Sequence, residues 1–116
     1  MSNVAENFLS SRLPIGGVSA YSIHLPNGVL VADCLSKSLY PTSTEQMLTR
    51  VIQSGRTLLP CEGHAAHYCW IFEGHRVYVA VRLDGICLAL LVENNPSAQL
   101  VRIKDTLQEF LDLEEV

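Results

Sequence analysis

The chain has 116 residues, 48% hydrophobic and 17% charged, with a formal net charge of −4. That length bounds it to a single domain over residues 1–116, large enough for an ordinary core, and the composition excludes intrinsic disorder. The acidic balance argues against nucleic acid or an anionic membrane as the main ligand, because both select clustered Lys and Arg.

Val4, Phe8, Leu9 and Leu13 share one helical stripe, which predicts a helix of about three turns stopping at Pro14. Gly16-Gly17 then lets the backbone bend into a strand over Val18–Leu25. Pro26-Asn27-Gly28 is a hairpin turn, since Asn-Gly tolerates positive φ, and Val29–Leu35 pairs back as a second strand. Thr42 with Glu45, or Ser43 with Gln46, fits a capping box that opens a helix over Ser43–Leu59. Met47, Leu48, Val51, Ile52, Leu58 and Leu59 form its broad apolar face, and Pro60 prevents it from continuing. Gly55 weakens that helix by about 1 kcal/mol against Ala, so packing must hold it.

Three strands follow, His64–Phe72, His75–Leu83 and Ile86–Glu93, joined by Glu73-Gly74 and Asp84-Gly85. In the middle one, Val77, Val79, Val81 and Leu83 face one way, and Arg76, Tyr78, Ala80 and Arg82 the other. The last strand is apolar on both faces, which predicts a central strand covered above and below. Asn95-Pro96 reads as the N-cap and first position of a final helix whose buried stripe is Leu100, Ile103, Leu107, Phe110 and Leu111. The acids Asp105, Glu109, Asp112, Glu114 and Glu115 at its end form a solvated face, or a docking site for a basic surface. The order α-β-β-α-β-β-β-α with a doubly apolar strand predicts an α/β (α+β) fold of three layers, helices on both sides of the sheet.

Met1 to Leu13 lacks the pattern of a signal peptide, and the apolar run Ile86–Val92 is too short to span a bilayer. A cytoplasmic protein is expected, with Cys34, Cys61, Cys69 and Cys87 reduced and no membrane insertion.

Four groups of residues could carry chemistry. Cys61, His64, His67 and Cys69 have zinc-ligating side chains, but their spacing fits no finger or knuckle, and strand alternation turns His64 away from the other two. A Cys/His pair with Glu62 could build a nucleophile, yet no strand-to-helix elbow with Gly-x-Ser-x-Gly accompanies it. Gly16-Gly17 precedes a strand and no Gly-Lys-Ser/Thr follows, so no phosphate-cradling loop is expected. Arg76 and Arg82 with Tyr78, Trp70 and Tyr68 are an interface set, or side chains that merely cover the sheet edge.

Leu13-Pro-Ile-Gly-Gly-Val18, the Asn27-Gly28 tip, the helix after Pro41, and Val77–Val92 with its Asp84-Gly85 turn resemble the roadblock / dynein light chain family in order and spacing. The resemblance covers nearly the whole chain, except for Cys61–Phe72. It implies a five-stranded antiparallel sheet with one helix on one face and two on the other, and a dimer formed by pairing third strands. It implies no catalytic residues, no cofactor and no enzyme. The implied role is a scaffold or regulator of a small Ras-like GTPase, or of a motor or signalling complex. The readings that stay open beside it are a small-ligand sensor of longin-like or profilin-like fold and a metal-binding module.

Two surfaces are expected to matter. Gln46, Thr49, Arg50, Gln53 and Arg56 form the polar side of the second helix and are the partner-binding candidates. His67, Tyr68, Cys69, Trp70, Ile71 and Phe72 are the dimer candidates, because a strand with neither Lys nor Pro is hazardous as an open edge. If the two-fold lies near Tyr68, imidazoles approach each other and the dimer weakens as pH falls from about 7.5 to about 5.5.

Overall fold

The computed structural model describes residues 4–58, 66–94 and 98–113. Its elements are α1 (Val4–Ser10), β1 (Val18–Leu25), β2 (Gly28–Cys34), α2 (Pro41–Leu58), β3 (Ala66–Phe72), β4 (His75–Val81), β5 (Cys87–Glu93) and α3 (Leu100–Asp112). The predicted order stands. The strands form one antiparallel sheet in the order β2-β1-β5-β4-β3. The doubly apolar strand β5 is central and buried from Cys87 to Val92, while β2 and β3 are the edges.

The pleat divides the apolar side chains between two cores. On one face Phe8 and Leu9 of α1 and Ile103, Leu107 and Phe110 of α3 pack over Ile23, Tyr78, Leu88 and Leu90. On the other, Leu48, Val51 and Ile52 of α2 pack over Ala20, Val77, Val79, Ala89 and Leu91. One helix therefore covers one face and two cover the other, which is the three-layer arrangement. No described helix is long and apolar enough to cross a membrane.

Several boundaries differ from the expectation. Helix α1 stops at Ser10, because the Leu9 carbonyl accepts from both Arg12 and Leu13, each at 3.0 Å, and turns the chain before Pro14. Helix α2 begins at Pro41, and its first backbone bond runs from the Thr44 N–H to the Tyr40 carbonyl at 2.9 Å. Proline suits that first position because its φ is preset and its missing N–H is not needed. Thr42 and Ser43 thus lie inside the first turn and build no capping box.

Helix α3 begins at Leu100 with Gln99 at the cap position, so Asn95 is not its cap; Asn95 and Pro96 lie outside the described residues. The Gln99 N–H donates to the Gly16 carbonyl at 2.8 Å, and Gln99 Oε1 accepts from the Gly16 N–H at 2.9 Å. This pairing across the fold, rather than a local cap, sets where α3 starts. Gly17 beside it has φ +93°, and a Cβ there would sit 2.6 Å from the Ala98 Cβ. Leu100 is half-exposed instead of buried, and Thr106 joins Ile103, Leu107 and Phe110 in the stripe. Strand β4 ends at Val81, which leaves Leu83 on the surface of the turn.

Candidate functional site

The edge strand β3 takes its character from hydrogen-bond phase. The Asn94 N–H donates to the Gly74 carbonyl and the Arg82 N–H to the Ile86 carbonyl, both at 3.0 Å. Even-numbered residues of β4 therefore direct their backbone groups toward β5, and odd-numbered ones toward β3. In the register Phe72↔His75 to Ala66↔Val81, the β3 residues that complete this ladder are Ala66, Tyr68, Trp70 and Phe72. The N–H and C=O groups of His67, Cys69 and Ile71 point off the sheet.

Side chains alternate in the same way. His67, Cys69 and Ile71 lie on the α1/α3 face, opposite Ala80, Tyr78 and Arg76, and all three are exposed, Ile71 by 73%. Tyr68, Trp70 and Phe72 lie on the α2 face. The Tyr68 hydroxyl reaches over α2 and donates to the Val51 carbonyl at 3.4 Å. It fits because position 55 is glycine: a Cβ there would be 1.8 Å from that oxygen.

Trp70 and Phe72 form the strand side of a groove of about 450 Å³, with Met47, Gln46 and Arg50 as its helix side. Through Phe72, Met47 and Ser43 it runs into a second hollow of about 290 Å³ bordered by Leu39, Tyr40 and His75. Tyr40 is 79% exposed. Met47, Leu39 and Tyr40 were not among the predicted site residues. The signal for them was present in the exposed aromatic just before a helix start.

The predicted polar side of α2 divides. Gln46 and Arg50 are exposed and border the groove. Arg50 makes no hydrogen bond or ion pair among the described residues. Gln53 and Arg56 are exposed further along the helix. Arg56 is committed to the sheet: its Nη2 donates to the Gly85 carbonyl at 2.9 Å and to Cys87 Sγ at 3.3 Å. Thr49 is half-buried and donates its hydroxyl to the Glu45 carbonyl at 2.9 Å.

The arginine and aromatic set on β4 is largely structural. Arg82 is 7% exposed; its Nη1 donates to the Phe110 carbonyl in the last turn of α3, and its Nε to Asp84 at 3.2 Å. Tyr78 is 6% exposed. Arg76 is half-buried, with its Nε unpartnered among the described residues. Arg12 is held by Glu109 and lies 3.8 Å over the Phe8 ring.

Cys61, Glu62 and His64 lie outside the described residues, so the proposed zinc and nucleophile groups are represented only by His67 and Cys69, on one face of β3. Among the described residues no three His, Cys, Asp or Glu side chains converge to hold a metal, and Cys34, Cys69 and Cys87 are free thiols. A Ser–His pair that the sequence reading did not single out lies on β1. His24 Nε2 is 2.8 Å from Ser22 Oγ. Burial, and secondly the charge of Arg56, push the His24 pKa down to about 4. Both residues are sealed under α2, His24 at 4% exposure, so the pair is core polarity with no approach for a substrate.

No protein-family profile and no curated protein sequence matches the chain. Among solved structures it is similar to Myxococcus xanthus MglB, with a TM-score of 0.53 and 13% identity over 81% of this chain and 80% of that one. At that identity the likeness is one of fold. The chain has a roadblock-like fold: a five-stranded antiparallel sheet between one helix and two.

Proposed function

We propose that this chain is a non-catalytic, cytoplasmic homodimer that scaffolds or regulates a small Ras-like GTPase. One observation carries the reading. The aromatics Trp70 and Phe72 of an unguarded edge strand and the polar residues Gln46 and Arg50 of α2 border a single groove. Trp, Tyr and Arg are the residues that dominate protein interfaces, and a groove beside an open edge presents them together. The second copy pairs with β3 over His67, Tyr68, Cys69, Trp70, Ile71 and Phe72. The GTPase engages the α2 side through Gln46 and Arg50, with Gln53 and Arg56 further along the helix. Support for the GTPase comes from the family resemblance of the sequence and the roadblock-like fold.

The test is binding to a panel of Ras-like GTPases from the same genome, each loaded with GDP or a non-hydrolysable GTP analogue. At least one complex is expected, weakened about tenfold or more by Arg50→Glu, a loss of about 1.4 kcal/mol. Arg50 is exposed and makes no hydrogen bond or ion pair among the described residues, so the variant is expected to fold normally. Absence of binding across the panel contradicts the reading. So does GTP hydrolysis by the purified chain alone, since no phosphate-cradling loop accounts for it.

A further inference from the structure

We infer that the two Cys69 thiols of the homodimer meet on its two-fold axis, and that peroxide joins them as a disulfide between subunits. The inference rests on the dimer reading above and adds a register and a chemistry to it.

The register follows from the backbone. Among the residues of β3, the groups turned off the sheet are the N–H and C=O of His67, Cys69 and Ile71. A second copy that pairs antiparallel about a two-fold perpendicular to the sheet sets side chains of one face opposite side chains of the same face. With the axis at Cys69, every one of these groups is satisfied. His67 then pairs with Ile71 of the partner subunit, and Cys69 with Cys69 of the partner subunit. An axis at Trp70 sets His67 against Glu73 of the partner subunit, which belongs to the turn beyond the strand end at Phe72. An axis at Tyr68 sets Ile71 against position 65, which lies outside the described residues. Cys69 is the middle of the seven described residues of β3.

Directly opposite residues that exchange hydrogen bonds have Cα atoms about 5.5 Å apart, inside the span of a disulfide. In the single chain the Cys69 side chain is exposed, on the face of β3 opposite α2. Burial raises its pKa; Arg76, a hydrogen bond with Tyr78, and Lys104 oppose the rise by favouring the thiolate. In this register the two His67 imidazoles are separated by about 14 Å along the strands, so they do not oppose each other.

The reaction balances with peroxide as oxidant. One Cys69 thiolate attacks the O–O bond and becomes a sulfenic acid, releasing the first water after proton uptake. The thiol of the partner's Cys69 then displaces the second water and closes the S–S bond, so two thiols and one peroxide become one disulfide and two waters.

The full chain is dialysed out of reductant, treated with hydrogen peroxide, and run on a non-reducing gel beside Cys69→Ser, Cys69→Ala and Cys61→Ser, while light scattering reads the mass of each reduced protein. The expected result is a dithiothreitol-reversible dimer band in the wild type and in Cys61→Ser. That band falls at least tenfold in both Cys69 variants, which remain dimeric by light scattering. A wild type that is dimeric in solution yet forms no covalent dimer overturns the inference and leaves the dimer standing. Equal crosslinking in the Cys69 variants overturns it as well. A reduced wild type that is monomeric overturns the dimer and the inference together.

Discussion

Gly55 is a poor helix residue kept by a neighbour on another element. Ala at an interior helix position is worth about 1 kcal/mol over Gly. Here the added Cβ would collide with the Tyr68 hydroxyl and ring, at 1.8 and 2.2 Å. Gly55→Ala is therefore expected to destabilise the wild type by about 1–2 kcal/mol, because Tyr68 must leave its seat and its hydrogen bond. In a Tyr68→Ala background the same change is expected to stabilise by about 0.5–1 kcal/mol. Urea unfolding of the four proteins in the cycle reads the reversal of sign. The residue scale also holds the acid sensitivity of the fold. His24 has a pKa of about 4 when folded, below its ordinary 6.5. Between those values the unfolded chain binds the proton and the folded chain does not, so stability is lost as pH falls from about 6.5 toward 4. At pH 5 the loss relative to pH 7.5 is about 2 kcal/mol, at 1.36 kcal/mol per unit. A His24→Gln variant, compared by urea unfolding at both pH values, is expected to lack that part of the dependence. An equal loss in wild type and variant assigns the acid sensitivity to other groups.

Helix α3 depends on long-range partners at both ends. Its start is tied by Gln99 to Gly16, and its last turn by Arg82 to the Phe110 carbonyl. Arg82→Met keeps the apolar stem and removes the donor, with an expected cost of about 2 kcal/mol for a lost charge-assisted bond. Hydrogen exchange is expected to rise first in Phe110–Asp112, whereas uniform exchange across α3 contradicts an end-capping role for Arg82. These ties explain which parts of the fold were legible in the sequence. The Asn27-Gly28, Glu73-Gly74 and Asp84-Gly85 turns and the apolar Cys87–Val92 run act locally, so element order and the central strand could be read directly. The start of α3 could not, because Asn95-Pro96 carries every local sign of a cap while the operative bond comes from Gly16. Pro41 competed with Thr42 and Ser43 for the same helix start, and proline at the first position prevailed. Of the candidate surface, Gln46 and Arg50 were readable from helical periodicity, and Trp70 and Phe72 from a strand with neither Lys nor Pro to blunt it as an edge. That they border one groove depends on which face of β3 looks toward α2, and that is set by pairing with β4.

At the scale of the whole molecule, the sheet ends in two edges of different character. On β2, Asp33 is an exposed charge. On β3, the stretch Ala66–Phe72 carries neither Lys, Pro nor acid, and exposes Ile71 and Phe72. An unguarded, apolar edge is a template for another strand. In the proposed dimer a second copy would satisfy it symmetrically and continue the sheet from one protomer into the next, with α2 and its groove on one side of the assembly. The most direct measurement is the mass of the reduced chain by light scattering after size exclusion, at tens of micromolar and pH 7.5, for the wild type and for Ile71→Lys. Ile71 is 73% exposed, so the lysine blunts the edge without touching the core. The account predicts twice the 12.8 kDa chain mass for the wild type and a single chain mass for the variant. A wild type at 12.8 kDa, or an Ile71→Lys protein as dimeric as the wild type, contradicts it.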